Sequence, residues 1–389
     1  MKRKRILIIH SDLFGFGGAE LVACKIISLL QHDFDVTFVH CGAEVDPKIF
    51  YQYYKIQIDS GRVRYAAVFP SWIRRFVSRR SGLALLKYAL ALRYARKLSS
   101  EHDLIFSSYG ECPLKHEKVI QYIHIPLFSI DQEIFRYLGV YRLNPISYLL
   151  RSAYVILCRF IAGWEKSQIQ TNTTIVNSEW TGTVMNRVYG VIHSTCVYPP
   201  TLEPAIPLIP FHKRENGFVM LGRIHPSKRI EFGIQIIDSL RKRGHDIHLH
   251  LVGKISIDDH KRLKNYINNR NYIHLHVNAS REDLEKIVVQ HRYGIHCYKY
   301  EHFGLAPAEM KKMGSIVFVP DYGGQVEVIH NIEQRYSDLS DAVTKIEAVL
   351  LSESLQTKLR ETFNRCNSKM SLNSFEEGVL GIVQRVLNE

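Results

Sequence analysis

Residues 5–40 read RILIIHSDLFGFGGAELVACKIISLLQHDFDVTFVH, and their pattern decides the fold class. Residues 5–10 are an unbroken apolar run, as expected of a strand buried on both faces of a parallel sheet. Gly15-Phe16-Gly17-Gly18 then makes a turn, and Leu21, Cys24, Ile27 and Leu30 recur at helical spacing. Residues 35–40 supply the next strand. Strand, glycine-rich turn, helix and strand make a βαβ unit, the opening of an α/β fold.

The same rhythm continues outward. Further strands are expected at 103–107, 118–124 and 173–177, and a proline-rich stretch, 199–210 (PPTLEPAIPLIP), reads as an interdomain linker. Beyond it, strands are expected at 217–222, 247–252, 272–277, 293–297 and 315–319. Helices are expected at 228–243, 258–269, 281–290 and 304–313. The tail, 372–389, is an amphipathic helix with Phe375, Val379, Ile382 and Val386 on one stripe. A length of 389 residues suits two domains. We expect them at 1–198 and 199–370, with 371–389 packing back on the first.

The 46% hydrophobic and 23% charged fractions are those of a globular chain with ample core. The formal charge of +13 attracts anions, whether nucleic acid, acidic lipid or phosphorylated small molecules. Seven scattered cysteines, never spaced C-x-x-C, argue against a disulfide framework or a zinc site and fit a reducing compartment. The N-x-S/T sequons at Asn172 and Asn278 are then chance matches. Ser11-Asp12 interrupts the N-terminal apolar run, so it reads as a strand and not a signal peptide. The most apolar stretch, Ile146–Gly163, carries Arg151 and Arg159, each costing about 2.5–3.5 kcal/mol near a bilayer centre. It reads as a buried or interfacial helix.

Three constellations carry chemistry. The turn Gly15–Glu20 lets backbone approach a ligand at a helix N-terminus, or is simply a tight turn. With Glu20 in place of a third glycine and His40-Cys41 at the second strand's end, it does not fit a dinucleotide fingerprint. Second, Arg223 and Lys228 in Gly222-Arg223-Ile224-His225-Pro226-Ser227-Lys228 follow a strand and precede a helix, where two cations suit a diphosphate. The bland alternative is a solvated basic loop. Third, Glu301-His302-Phe303-Gly304-Leu305-Ala306-Pro307-Ala308-Glu309 sets two carboxylates eight apart, in a loop and the following helix. Ionised acids there suit sugar and ribose hydroxyls.

These elements together resemble the signature of family-four retaining glycosyltransferases of the GT-B fold. The E-x7-E element, the upstream G-R-x4-K element and Gly323-Gly324-Gln325-Val326-Glu327 match in order, as do Gly17-Gly18-Ala19-Glu20, Asn177-Ser178-Glu179-Trp180-Thr181 and the Ser371–Phe375 region. The resemblance implies two Rossmann-like domains facing across a cleft, with the C-terminal helix returning to the N-terminal one. By it, Glu301 contacts donor-sugar hydroxyls, Glu309 the nucleotide ribose, and Arg223 and Lys228 the diphosphate. Gly17 and Gly18 line the donor and acceptor cleft, and Phe303, Gly304 and Leu305 flank the nucleotide sugar. His124, in Tyr122-Ile123-His124-Ile125-Pro126, resembles the family histidine near the reacting carbon; a satisfied core histidine is the alternative.

The likeness is closest to mannosyltransferases of lipid-linked oligosaccharide assembly. It implies GDP-mannose as donor, a polyprenyl-diphosphate-linked saccharide as acceptor, a cytoplasmic enzyme peripheral on the cytosolic membrane face, and no metal requirement. A UDP-sugar donor with a soluble or other lipid acceptor is the rival within the class. A catalytically silent nucleotide- or membrane-binding partner subunit is the rival outside it. His248-Leu249-His250 and His274-Leu275-His276 alternate on strands and can in principle chelate, strand-face histidines being the simpler reading. Finally, residues 60–100 hold ten Lys and Arg and no acid, interleaved with Phe69, Trp72, Ile73, Phe76, Val77 and a leucine-rich run at 83–92. That segment reads as a surface for anionic lipid, or for a charged acceptor. No nucleic-acid-binding module accompanies it.

Overall fold

The computed structural model describes residues 3–13, 15, 17–42, 46–78, 83–137, 145–361 and 368–389. They form two units, Met1–Pro200 with Leu372–Glu389, and Thr201–Ser371.

In the first unit, β1 (Arg5–Ile9), α1 (Gly18–Leu30), β2 (Asp35–His40), α2 (Pro47–Tyr54), β3 (Val63–Ala67), α3 (Ser71–Ser78) and α4 (Ala84–Ala95) come first. They are followed by β4 (Leu104–Ser107), β5 (Val119–Ile123), α5 (Gln132–Tyr137), α6 (Pro145–Ala162), α7 (Lys166–Thr171), β6 (Thr173–Val176), α8 (Glu179–Tyr189) and β7 (Thr195–Cys196). The strands make one parallel sheet in the order β3-β2-β1-β4-β5-β6-β7. As the continuous apolar run demanded, Ile6–Ile9 are wholly buried.

The C-terminal helix Leu372–Asn388 belongs to this unit and packs on α1. Its stripe of Phe375, Val379, Ile382 and Val386 is buried. Each such side chain contributes about 1.5–3 kcal/mol. Lys4 and Lys118 ammonium groups donate to Leu387 O at 2.9 and 3.1 Å, satisfying a carbonyl in the helix's last turn.

The second unit runs β8 (Glu215–Leu221), α9 (Ile230–Lys242), β9 (His248–Gly253), α10 (Ile257–Ile267), β10 (Ile273–Val277), α11 (Arg281–Gln290), β11 (His291–Ile295) and α12 (Leu305–Lys312). After these come β12 (Ile316–Pro320), α13 (Gln325–Val328), β13 (Arg335–Tyr336), α14 (Leu339–Leu350) and α15 (Glu353–Glu361). Its parallel sheet has the order β10-β9-β8-β11-β12-β13. Phe218, Met220, Leu249, Leu251, Ile234 and Ile237 share its main core with α14 residues.

The structure divides the basic segment 60–100 in a way the sequence reading does not anticipate. Residues 63–67 are a sheet strand, and the leucine-rich run is core: α4 buries Leu85, Tyr88, Ala89, Ala91, Leu92 and Ala95. Lys87 is not a membrane-facing cation, since it lies buried with its Nζ 3.1 Å from Asp12 Oδ2. Burying that charge is tolerable only because the partner is there; removing one member of such a pair costs about 3–5 kcal/mol. Trp72, by contrast, is 78% exposed. Arg79 and Arg80 lie outside the described residues, as do Phe16 of the glycine turn and Cys366.

Candidate functional site

In a doubly wound parallel sheet, ligands bind beyond the carboxyl ends of the strands at the point where neighbouring connections depart to opposite sides. That point lies between β8 and β11 in the second unit and between β1 and β4 in the first. Arg223 and Lys228 follow β8, and Glu301 follows β11, so the second and third constellations meet at one switch point.

Lys228 closes the short turn Pro226–Lys228, two residues before α9 and not inside it. Its Nζ is 2.6 Å from Glu301 Oε2 and 4.9 Å from the centre of the Tyr298 ring. The same carboxylate oxygen is 3.0 Å from Nε2 of His296, the residue that closes off β11. Burial alone raises the Glu301 pKa, but Lys228 and His296 outweigh it and hold the group well below the usual carboxylate range. Burial pushes His296 down despite Glu301 beside it. Glu301 is thus a fixed anion at neutral pH. The pair is not sealed off: the Lys228 and Glu301 side chains keep 22% and 20% exposure. Arg223 is exposed one residue beyond Gly222.

The Gly323-Gly324-Gln325 stretch explains how the Glu301 loop keeps its shape. Gly324 N donates to Glu301 O at 2.8 Å. A Cβ on Gly324 falls 1.9 Å from His302 O, and one on Gly323, at φ +81°, falls 2.5 Å from Glu301 O. Only glycine permits backbone to approach so closely. Gln325 Nε2 then donates to Tyr298 O and Tyr322 O, each at 3.0 Å.

Glu309 is on α12, behind buried Phe303 and the left-handed Gly304 that caps the helix, with Leu305 as its first residue. Its carboxylate accepts from Arg281 Nη1 at 3.0 Å, while Arg281 Nε donates to Glu285 at 2.7 Å. Arg281 therefore orients Glu309. Sequence reasoning missed both His296 and Arg281. The signal for His296 is a histidine at the end of the expected strand 293–297, five residues before Glu301; Arg281 leaves no such mark.

In the first unit, Gly17 caps α1 and its N–H donates to Glu20 Oε2 at 2.9 Å, while Tyr54 Oη donates to Gly17 O at 2.9 Å. A Cβ at Gly15 or Gly17 meets the Glu20 carboxylate, so these glycines make room for that side chain, and Gly18 begins the helix. His124 follows β5, and its Nε2 donates to Ser108 O at 3.2 Å. Ser108 Oγ is 3.0 Å from His10 Nδ1 at the end of β1. Burial, and then the proximity of His124, lower the His10 pKa to about 3. Glu111, fully buried, accepts from Leu127 N and Phe128 N at 3.0 Å and from Tyr189 Oη at 2.6 Å. It pins the segment that follows His124. The structure thus joins Lys228 to Glu301 in the second unit and places His124, Gly17 and Gly18 in the first.

Comparison with known proteins supports the GT-B fold and the glycosyltransferase class. Residues 207–365 match the family model described as glycosyl transferases group 1. The mouse protein named GDP-Man:Man(3)GlcNAc(2)-PP-Dol alpha-1,2-mannosyltransferase is 22% identical over 322 residues, covering 73% of this chain and 63% of the relative. The human protein of the same name is 23% identical over 316 residues, covering 72% and 62%. The chain therefore spans less than two thirds of the length of these curated relatives. Among solved structures, WaaG, a glycosyltransferase involved in lipopolysaccharide biosynthesis, superposes with a TM-score of 0.70 at 14% identity, covering 97% of this chain and 99% of that one. A glycosyltransferase from Rickettsia africae gives 0.68 at 15% identity, covering 100% and 99%.

Proposed function

We propose a function from the premise that this chain carries a glycosyl transferases group 1 domain, residues 207–365, within the GT-B fold. The protein is a retaining glycosyltransferase that moves a hexose, mannose from GDP-mannose, onto a polyprenyl-diphosphate-linked saccharide. The second unit holds the donor and the first the acceptor. The observation that carries this is the Lys228–Glu301–His296 cluster at the β8/β11 switch point. The names of the mouse and human relatives support mannose and a lipid-linked acceptor.

The chemistry follows from the charges. A nucleoside diphosphate brings two or more negative charges beside Lys228, whose ammonium turns from Glu301 toward it. Arg223, exposed in the same connection between β8 and α9, adds a second cation and helps stabilise the leaving diphosphate. Glu301 stays ionised against His296 and accepts hydrogen bonds from sugar hydroxyls, while Glu309, held by Arg281, takes the ribose. Departure of the diphosphate and attack by the acceptor occur on one face of the sugar, with a phosphate oxygen taking the acceptor's proton.

A peripheral membrane position is supported by α6. It is 18 residues long and apolar enough to cross a bilayer by composition, yet Val155, Cys158 and Ala162 pack into the first unit's core. Its other face shows Ile146, Leu149, Leu150, Ile156, Leu157 and Phe160 at 51–82% exposure. Such a helix lies in the lipid interface rather than spanning it.

A thermal-shift panel of GDP, UDP, ADP and their sugar conjugates tests the donor. Selective stabilisation by GDP and GDP-mannose is expected. Selective response to UDP compounds replaces the donor, and no response to any nucleotide favours a silent partner subunit.

A further inference from the structure

At the amino ends of the second unit's strands, away from the switch point, the sheet gathers histidines. Leu249 and Leu251 of β9 point into the main core, so His248 and His250 take the opposite face. His274 and His276 follow on β10, and His291 begins β11. The His250 ring centre lies 4.1 Å from that of His291, 4.7 Å from His274 and 5.0 Å from His276. β8 runs between β9 and β11, and its Gly217 lets the rings meet across it: a Cβ there falls 2.2 Å from His248 Nε2.

The hydrogen bonding around these rings is incomplete in a specific way. His291 Nδ1 is 2.5 Å from Ile287 O, and a carbonyl only accepts, so that nitrogen carries the proton. A neutral His291 then presents a lone pair at Nε2. That atom is buried, has no hydrogen-bond partner among the described residues, and lies 3.7 Å from Glu215 Oε2. His248 Nε2 is equally unpartnered and lies 3.4 Å from the same carboxylate oxygen. A ring lone pair facing a carboxylate is repulsive unless a cation stands between them.

We propose that His248, His250 and His291, with Glu215 as a fourth ligand, bind a transition-metal ion of the zinc class. One ligand nitrogen from each of the three histidines lies within 4.8 Å of the others. Tetrahedral coordination at a Zn–N distance of about 2.1 Å needs them roughly 3.4 Å apart, a closure that rotation of the partly exposed His248 and His250 rings toward buried His291 supplies. The outer shell is already in place: Ile287 O orients His291, and His276 Nε2 lies 2.8 Å from His250 Nδ1. Three imidazoles and a carboxylate suit Zn(II), Cu(II) or Ni(II) rather than magnesium or calcium. The ion ties β8, β9 and β11 together at the end of the sheet opposite the donor site, so its role is structural, and it stands or falls independently of the proposed transfer.

The test is a calorimetric Zn(II) titration of the chelator-stripped full chain. A single ion per chain is expected, with affinity falling at least about 100-fold in His291→Ala or His248→Ala and staying unchanged in His193→Ala, an exposed histidine elsewhere. Loss of binding in none of these variants shows adventitious surface coordination and overturns the site. Where a variant does not fold, Cu(II) bound to the unsubstituted chain decides. An electron paramagnetic resonance spectrum with coupling to several imidazole nitrogens supports the site, and one with oxygen ligands alone overturns it.

Discussion

Lys228 and Glu301 hold one another at 2.6 Å, and much of the proposed chemistry turns on that pair being exchanged for substrate contacts. The exchange costs little in net charge, since a diphosphate takes the ammonium as sugar hydroxyls take the carboxylate. Glu301→Gln leaves Lys228 free for phosphate but removes charge-assisted hydrogen bonds worth about 1.5–3 kcal/mol. Transfer should therefore fall about 10- to 100-fold while GDP affinity holds or rises, as isothermal titration beside a rate assay will show. Equal loss of GDP affinity would mean that Glu301 serves the nucleotide site. Of these residues, Lys228, Glu301 and Glu309 were legible because charge, glycine and helix start occur together in sequence. His296 was not, because a lone histidine at a strand end resembles any core histidine until Glu301 is seen beside it.

Two helices of the first unit show why composition alone misplaces a surface. Both α4 and α6 are apolar with scattered cations, yet α4 is buried around Lys87 and its Asp12 partner, while α6 turns six large apolar side chains outward. The absence of acids in residues 60–100 suggested a surface for anionic lipid or a charged acceptor; the acid that answers Lys87 is 75 residues earlier, where no local reading can find it. Strands β7 and β13, of two residues each, and β3, whose apolar run Arg64 breaks, are too short or too mixed to stand out. The long buried strands were plain from their unbroken apolar runs. If α6 is the lipid-facing element, Leu150→Glu with Phe160→Glu should abolish co-sedimentation with anionic vesicles and leave the melting temperature within a few degrees, both residues being exposed. Undiminished vesicle binding would assign the membrane contact elsewhere.

Across the molecule, each unit places candidate residues beyond the carboxyl ends of a parallel sheet: Lys228 and Glu301 at the β8/β11 switch point of the second, Gly17 and Gly18 after β1 and His124 after β5 in the first. The first unit also carries a pH liability. His10 and His40 are buried, and desolvation lowers their pKa values to about 3 and about 4. The unfolded chain protonates both near 6.5, so it binds more protons than the fold below that pH. Their stabilisation is complete above 6.5 and is lost as pH falls toward 4, at up to about 1.4 kcal/mol per pH unit for each group. Calorimetric melting between pH 7 and 4 should show this decline, and His10→Asn should flatten it.

The central claim is transfer itself. It is tested most directly by following labelled mannose from GDP-mannose onto a polyprenyl-diphosphate-linked oligosaccharide with the full chain and with Lys228→Ala. Acceptor-dependent transfer with the configuration at the anomeric carbon retained, abolished in the folded Lys228→Ala protein, is the predicted result. Full transfer by that variant, or an inverted product, would contradict the site and mechanism proposed above.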